Sequence, residues 1–187
     1  ASLPAGAFDA VVGNPPFGVR ASRSASLASE VRFLLRAVEL ARPGGSVALV
    51  LPNGVLANER LRELRAGLLA HNTVLAVVAL PRGTFYGTGT TAACSLLLLR
   101  RAAPSPEHQI LFALPETLEE LPAVVSAFRS GAAGRQPECF WLAQQPGLSR
   151  LDAAFWRPAA RALIERMRAR WPLQPMGALL GPGEVIA

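Results

Sequence analysis

Three short apolar runs, "FDAVVG" (Phe8–Gly13), "SVALVL" (Ser46–Leu51) and "TVLAVVAL" (Thr73–Leu80), constrain this chain more than any other feature. Each is short, rich in Val, Leu and Ala, and bounded by Gly, Pro or Asn, which reads as a buried strand. Between the first two, Gly18–Ser29 reads as a polar loop. Glu30–Arg42 then carries Val31, Leu34, Leu35 and Val38 at amphipathic-helix spacing, and Pro43-Gly44-Gly45 ends the helix. Between the second and third, Asn58 is placed to cap a helix with Leu61, Leu64, Leu68 and Leu69 on one face. This alternation predicts a parallel α/β sheet covered on both faces. A fourth run, Ala93–Arg100, follows the third after "PRGTFYGTGTTA", with no helix between, which predicts an antiparallel hairpin at one edge.

After Ala102 the pattern changes. Pro104 and Pro106 break the chain, and a strand (Gln109–Ala113), a helix (Glu116–Arg129), a Gly/Ala linker and a helix (Pro158–Trp171) are expected. The chain begins without Met and ends in the Pro/Gly-rich "PLQPMGALLGPGEVIA", so an excerpt of a longer protein is expected. At 51% hydrophobic and 17% charged residues, the composition is that of a packed protein. No apolar run approaches the length of a membrane span and no signal peptide is visible, so no membrane partner and a cytoplasmic location are expected. Cys94 lies in an apolar run and reads as a buried thiol. His71 and His108 are isolated, so no metal site is expected.

The net charge of +6 is unevenly placed. Residues 1–101 hold 11 Arg against 5 acidic residues, whereas the rest balances at 8 against 8. A basic half fits a polyanionic partner. The absence of Lys, with abundant Ala, Arg, Gly and Pro, fits a biased genome equally well.

"NPPF" (Asn14–Phe17) stands where the first strand ends, and in open α/β sheets ligands bind beyond the carboxyl ends of strands. The residue before a proline is pushed into an extended conformation, so Asn14 continues the strand and presents its amide at the mouth. Pro15 and Pro16 fix φ and cannot donate, which makes the turn stiff. The Asn14 side-chain oxygen and the Pro15 carbonyl thereby become two fixed acceptors, with the Phe17 ring beside them. That set suits a planar heterocycle bearing an exocyclic amine. Two acceptors holding the amine hydrogens draw its lone pair out of the ring plane, toward an electrophilic methyl group, and alignment supplies much of the remaining barrier reduction.

"NPPF" after an apolar strand resembles the catalytic motif of S-adenosylmethionine-dependent DNA methyltransferases that modify the exocyclic amine of adenine. "ARPGGSVALVLPNGVL" resembles the next strand region of type I restriction-modification methylase subunits, and "VVALPRGTFYGTGTTAACSLLLLRR" resembles their edge hairpin. The blocks stand in the family's order from Phe8 to Arg101 and guard against a chance match of four residues. The resemblance implies a Rossmann-like class I methyltransferase sheet, here its C-terminal half with an antiparallel edge hairpin, followed by a small α+β extension. It implies residues 1–101 as a partial catalytic domain, 102–148 as an extension, and 149–187 as a linker and the start of a target-recognition domain. "SRLDAAFWRP" with "WPLQPMGALL" resembles the entry to such domains.

The resemblance further implies that Asn14, Pro15, Pro16 and Phe17 form the catalytic turn, with Asn14 also bordering the cofactor, S-adenosylmethionine. Phe17 and Phe85 would stack on an adenine flipped out of DNA, and Arg20 and Arg23 would meet phosphates. DNA is the implied partner, with a specificity or nuclease subunit or domain beside it. Plainer readings stay open at several of these positions. Phe85 serves equally as a packing residue of the hairpin, and Arg20 and Arg23 as solvated loop charges. "FYGTG" imitates a cofactor-binding glycine loop, yet it leads into "AACSLLLL" and not into a helix, so the cofactor loop is expected upstream of Ala1. Related "NPP" motifs act on guanine in RNA or glutamine in protein, and a non-catalytic DNA-binding or docking lobe is the third alternative.

Overall fold

The computed structural model describes residues 3–16, 23–88, 92–145 and 147–174. Seven strands form one sheet in the order β1-β2-β4-β3-β5-β7-β6: β1 Phe8–Gly13, β2 Ala41–Pro52, β3 Thr73–Ala79, β4 Cys94–Arg100, β5 Gln109–Leu114, β6 Gly134–Arg135 and β7 Glu138–Ala143. Helices α1 (Arg23–Leu40), α2 (Asn53–Ala57), α3 (Arg62–His71), α4 (Leu121–Ser130) and α5 (Pro158–Arg170) connect or follow them. Residues Ala1–Ala154 make one compact unit and Phe155–Ala187 a second. In the second, Arg161 stacks over Trp156 at 5.4 Å and Arg170 over Trp171 at 5.1 Å. Among the described residues no helix is long and apolar enough to cross a membrane, and no group of three metal-binding side chains occurs.

The expected hairpin forms, with Thr73 opposite Arg100 and Ala79 opposite Ser95. Its place is the correction: it is not at an edge. β4 also pairs antiparallel with β2, from Ser46–Arg100 to Pro52–Cys94, and the sheet continues beyond β3 through β5, β7 and β6. The sequence of β4 explains this. Four consecutive leucines put apolar side chains on both faces, and an edge would leave the backbone of the most hydrophobic strand unpaired. Leu97 and Leu99 are buried on one face with Val47, Leu49, Leu51 and Val77. On the other, Leu96 and Leu98 pack on the cluster formed by Ala76, Val78, Leu111, Ala113, Val124 and Cys139 under α4. The sheet is also less parallel than expected: only β1–β2 and β3–β5 pair parallel among the described strands.

Other boundaries moved. α1 begins at Arg23, inside the stretch read as a loop, and ends at Leu40. β2 starts at Ala41, so Pro43-Gly44-Gly45 lies within the strand instead of after the helix. Pro43 pushes Arg42 to an extended conformation, and Gly44 takes a positive φ of 76°. A side chain at Gly45 would meet Phe8 O and Arg42 O at 2.9 Å. Between the Gly/Ala stretch and the last helix, where no element was expected, "ECFWLA" forms β7, pairing along all of β5 and stacking Phe140 on Phe112 at 5.7 Å.

Two buried polar side chains complete the core by replacing missing backbone partners. β3 bulges between Val74 and Ala76, and its pairing with β5 begins at Ala76, which leaves Val74 without a strand partner on that side. Gln144 Oε1 accepts from Val74 N at 2.8 Å, and His108 Nε2 donates to Val74 O at 2.7 Å. The Gln144 amide nitrogen donates to Leu69 O and Asn72 O, each at 2.7 Å. Arg65, with no exposed surface, donates to Ser149 O, Val55 O and Asn58 O. Burial lowers its pKa from the ordinary arginine value, and Glu59 partly offsets this. Leu151 N donates to Leu56 O, so the segment after β7 is tied to α2 and α3.

An orphaned buried hydrogen-bonding group costs about 1–3 kcal/mol. Gln144→Leu strands one amide N–H and two carbonyls at once, so it should lower unfolding free energy by about 3 kcal/mol or more. Gln109→Leu, on the exposed end of β5, should change it by less than about 0.5 kcal/mol. Urea midpoints of the two variants check the contrast.

Candidate active site at the carboxyl rim of the sheet

Strand register brings the site together. Gly13 of β1 lies opposite Leu49, and β2 runs three residues further to Pro52. Pro52 pairs with Cys94, and Ala79 with Ser95. The carboxyl ends of β1, β2 and β3 and the start of β4 therefore share one rim, and β1 stops short of its neighbour to leave a step. Asn14 opens from that step.

Asn14 is exposed, and among the described residues its side chain makes no hydrogen bond, whereas Pro15 is buried and Pro16 exposed. The turn is thus anchored through one proline while the amide stands free at the rim. The anchor has little slack, because an added Cβ at Gly13 would stand 3.1 Å from Leu49 Cδ2. A cavity of about 350 Å³ follows the free edge of β1, lined by Val11 to Pro15, by Leu49, and by Phe33, Arg36, Ala37 and Leu40 of α1. Phe17 and Arg20 lie outside the described residues. Arg23 is the first residue of α1.

Phe85 is half-buried in the turn after β3. It lines a second cavity of about 290 Å³ with Leu80 to Tyr86 and Ala92 to Cys94. The turn is tight: Pro81 O accepts from Thr84 N at 3.2 Å and from Thr84 Oγ1 at 2.7 Å, and Gly83 O accepts from Tyr86 N at 3.0 Å. "FYGTG" contributes a single 3₁₀ turn, Tyr86–Thr88, and the next element is β4, not a helix. Burial raises the pKa of Cys94 at the cavity floor, with the Glu30 charge adding to it.

Sequence reasoning missed one polar pair on this rim. Asn53, one residue past β2, accepts at its side-chain oxygen from the buried Ser95 hydroxyl at 2.8 Å, and its backbone N–H donates to Ala93 O. The Pro52-Asn53-Gly54 strand ending was visible in the sequence. The partner across the sheet was not, because it depends on β4 lying beside β2.

With this geometry established, the relatives can be read. The family model for N-6 DNA methylases matches residues 4–120, more than half of the chain. The chain belongs to the N-6 DNA methylase family. The defense against restriction protein B of Escherichia phage P1 is 30% identical over 137 residues, covering 70% of this chain and 6% of the phage protein. A Vibrio vulnificus YJ016 protein, assigned as a modification subunit of a type I restriction enzyme, superposes with a TM-score of 0.60. It has 19% identity over 74% of this chain and 34% of its own. A Listeria monocytogenes protein assigned as a class I S-adenosylmethionine-dependent methyltransferase gives 0.53, with 16% identity over 68% of this chain and 44% of its own. At such identities the likeness is one of fold, that of class I methyltransferases. The chain spans about a third of the Vibrio protein and a small part of the phage one.

The Asn14 side chain is exposed and unbonded among the described residues, so Asn14→Ala should leave stability within about 0.5 kcal/mol of the parent. Gly13→Val crowds Leu49 and should cost about 1–3 kcal/mol. Thermal melting of the two variants checks the contrast.

Proposed function

We propose that this chain carries the catalytic turn of a DNA methyltransferase that modifies the exocyclic amine of adenine, within a restriction-modification or related defence system. One observation supports the reading above others: Asn14 stands exposed at the carboxyl end of β1, its side chain unbonded among the described residues, while Pro15 behind it is buried. An amide with no partner among the described residues, beside a buried proline at the ligand-binding end of an α/β sheet, is positioned for a guest.

In this reading Asn14 Oδ1 and the Pro15 carbonyl accept the two amine hydrogens and rotate the nitrogen lone pair out of conjugation. S-Adenosylmethionine, when bound, supplies an electrophilic methyl group. Once that methyl group had been taken up by the nitrogen, the surplus amine proton would leave along one of the two hydrogen bonds to solvent. Phe17 and Phe85 would flank the extruded base, and Arg20 and Arg23 would meet backbone phosphates. Asn14 is the residue assigned to the cofactor side. The side chains lining the cavity along β1 include no carboxylate to hold a ribose, so the remainder of cofactor binding is not assigned to them. Residues 1–101 would then be the catalytic portion and 102–148 its extension, with 149–187 leading toward target recognition and a specificity or nuclease partner.

In the full-length gene product, Asn14→Ala should abolish methyl transfer to DNA while DNA affinity stays within about threefold. Labelled methyl transfer to DNA, RNA and protein, assayed side by side, checks both residue and substrate. Full activity of the variant would sink the assignment. Transfer confined to RNA or protein would move it to another substrate, and no transfer to any would favour a docking lobe.

A further inference from the structure

The turn after β3 carries two side chains that the catalytic reading does not use. Tyr86 is 62% exposed, although its neighbour Phe85 is half-buried in the cavity below. An exposed aromatic is common enough alone; the way this one is held is not. Gly83 has φ +89°, and an added Cβ there would sit 3.2 Å from both Tyr86 Cδ2 and Cε2. The ring is therefore pressed against the Gly83 backbone, and the three hydrogen bonds of the turn fix that backbone. Little rotamer freedom remains to be lost when something stacks on the outward side of the ring. Arg82, next to Gly83, is exposed, and among the described residues its guanidinium has neither hydrogen bond nor ion pair. The turn leaves the same rim as Asn14, since Leu80 N donates to Cys94 O at the start of β4.

We propose that this turn is a second DNA contact, distinct from the pocket for the extruded base: Tyr86 stacks on an unstacked nucleobase next to the target, and Arg82 meets a phosphate beside it. This rests on the reading of the chain as acting on DNA. Extruding one base leaves neighbouring base faces uncovered, and a pre-positioned ring recovers part of the lost stacking. A rigid aromatic paired with a free arginine is the combination that single-stranded nucleic-acid sites employ.

The test uses the full-length protein, a mixed-sequence single-stranded oligodeoxynucleotide as binding probe, and methyl incorporation into unmodified duplex DNA. Tyr86→Ala should weaken oligonucleotide binding and raise the KM for duplex by about ten- to a hundredfold, with kcat within about threefold. Tyr86→Phe should restore both, and the melting temperature should not move. Arg82→Ala should weaken binding and reduce the slope of log affinity against log salt by about one. Unchanged binding by Tyr86→Ala overturns the proposal, as does a loss of binding matched by a loss of thermal stability. Asn14→Ala, run in parallel, keeps the two readings apart. If wild type methylates DNA through Asn14 while Tyr86→Ala binds normally, only the second contact fails; if Asn14→Ala is fully active, the catalytic reading fails.

Discussion

The insertion of β4 between β2 and β3 is the constraint on which the rest depends. An antiparallel strand between two strands of like direction can satisfy both edges only if its own side chains are buried on both faces, and the leucines of β4 meet that demand. The consequence is geometric. Once Cys94 is opposite Pro52 and Ser95 opposite Ala79, the turn bearing Phe85 and Tyr86 and the Asn53–Ser95 pair must share one rim with Asn14. Candidate residues far apart in sequence are gathered by hydrogen-bond register and not by contacts among themselves. A leucine run that sheds water on both faces thereby sets the site. Each fully buried leucine contributes about 1.5–3 kcal/mol, so the register is held far more firmly than any surface contact could hold it.

That arrangement creates a polar deficit elsewhere. The bulge in β3 that adapts it to β4 strips Val74 of partners on the β5 side, and the molecule answers with side chains. Gln144 and His108 each occupy one backbone group of Val74, and Gln144 also takes the Leu69 and Asn72 carbonyls where α3 ends. Arg65 does the same for Val55, Asn58 and Ser149. Both residues tie the segment after β7 back to the helices preceding β3. Residues 102–151 are therefore part of the core unit's hydrogen bonding and not a separable appendage.

Much of this was legible in the sequence, and what was hidden had a common cause. Strands β1, β3 and β5 and helix α3 follow from local pattern, because apolar periodicity and the Asn58 cap are local signals. Asn58 does accept from Arg60 N, at 3.0 Å. The place of Asn14 and Pro15 just beyond β1 was legible because proline chemistry acts within two residues. The interior place of β4, the strand β7 and the pairing of Asn53 with Ser95 are set by partners tens of residues away. Only the unbroken leucine run hinted at the first of them. Gly83 against Tyr86 was invisible for another reason: a single glycine does not announce its φ.

Charge shows why the sequence overstates one point. A basic first half suggests a broad electrostatic face, but several of its arginines are engaged with other groups of the chain. Arg42 pairs with Asp9 at 2.6 Å, Arg36 with Glu39 and the Leu3 carbonyl, and Arg101 donates to the Glu39 and Ala41 carbonyls. Arg65 is buried altogether. These guanidiniums serve as carbonyl caps and strap the ends of α1 and β2 to the sheet, a role suited to their planar array of donors. Their charge still adds to the long-range field that steers a polyanion, but their donors are committed. On the proposed reading, what a DNA backbone would engage directly is thus a smaller set, in which Arg82 stands on the rim beside the aromatic turn. The net charge of this chain describes how a polyanion would be drawn in; the rim describes where it would be held.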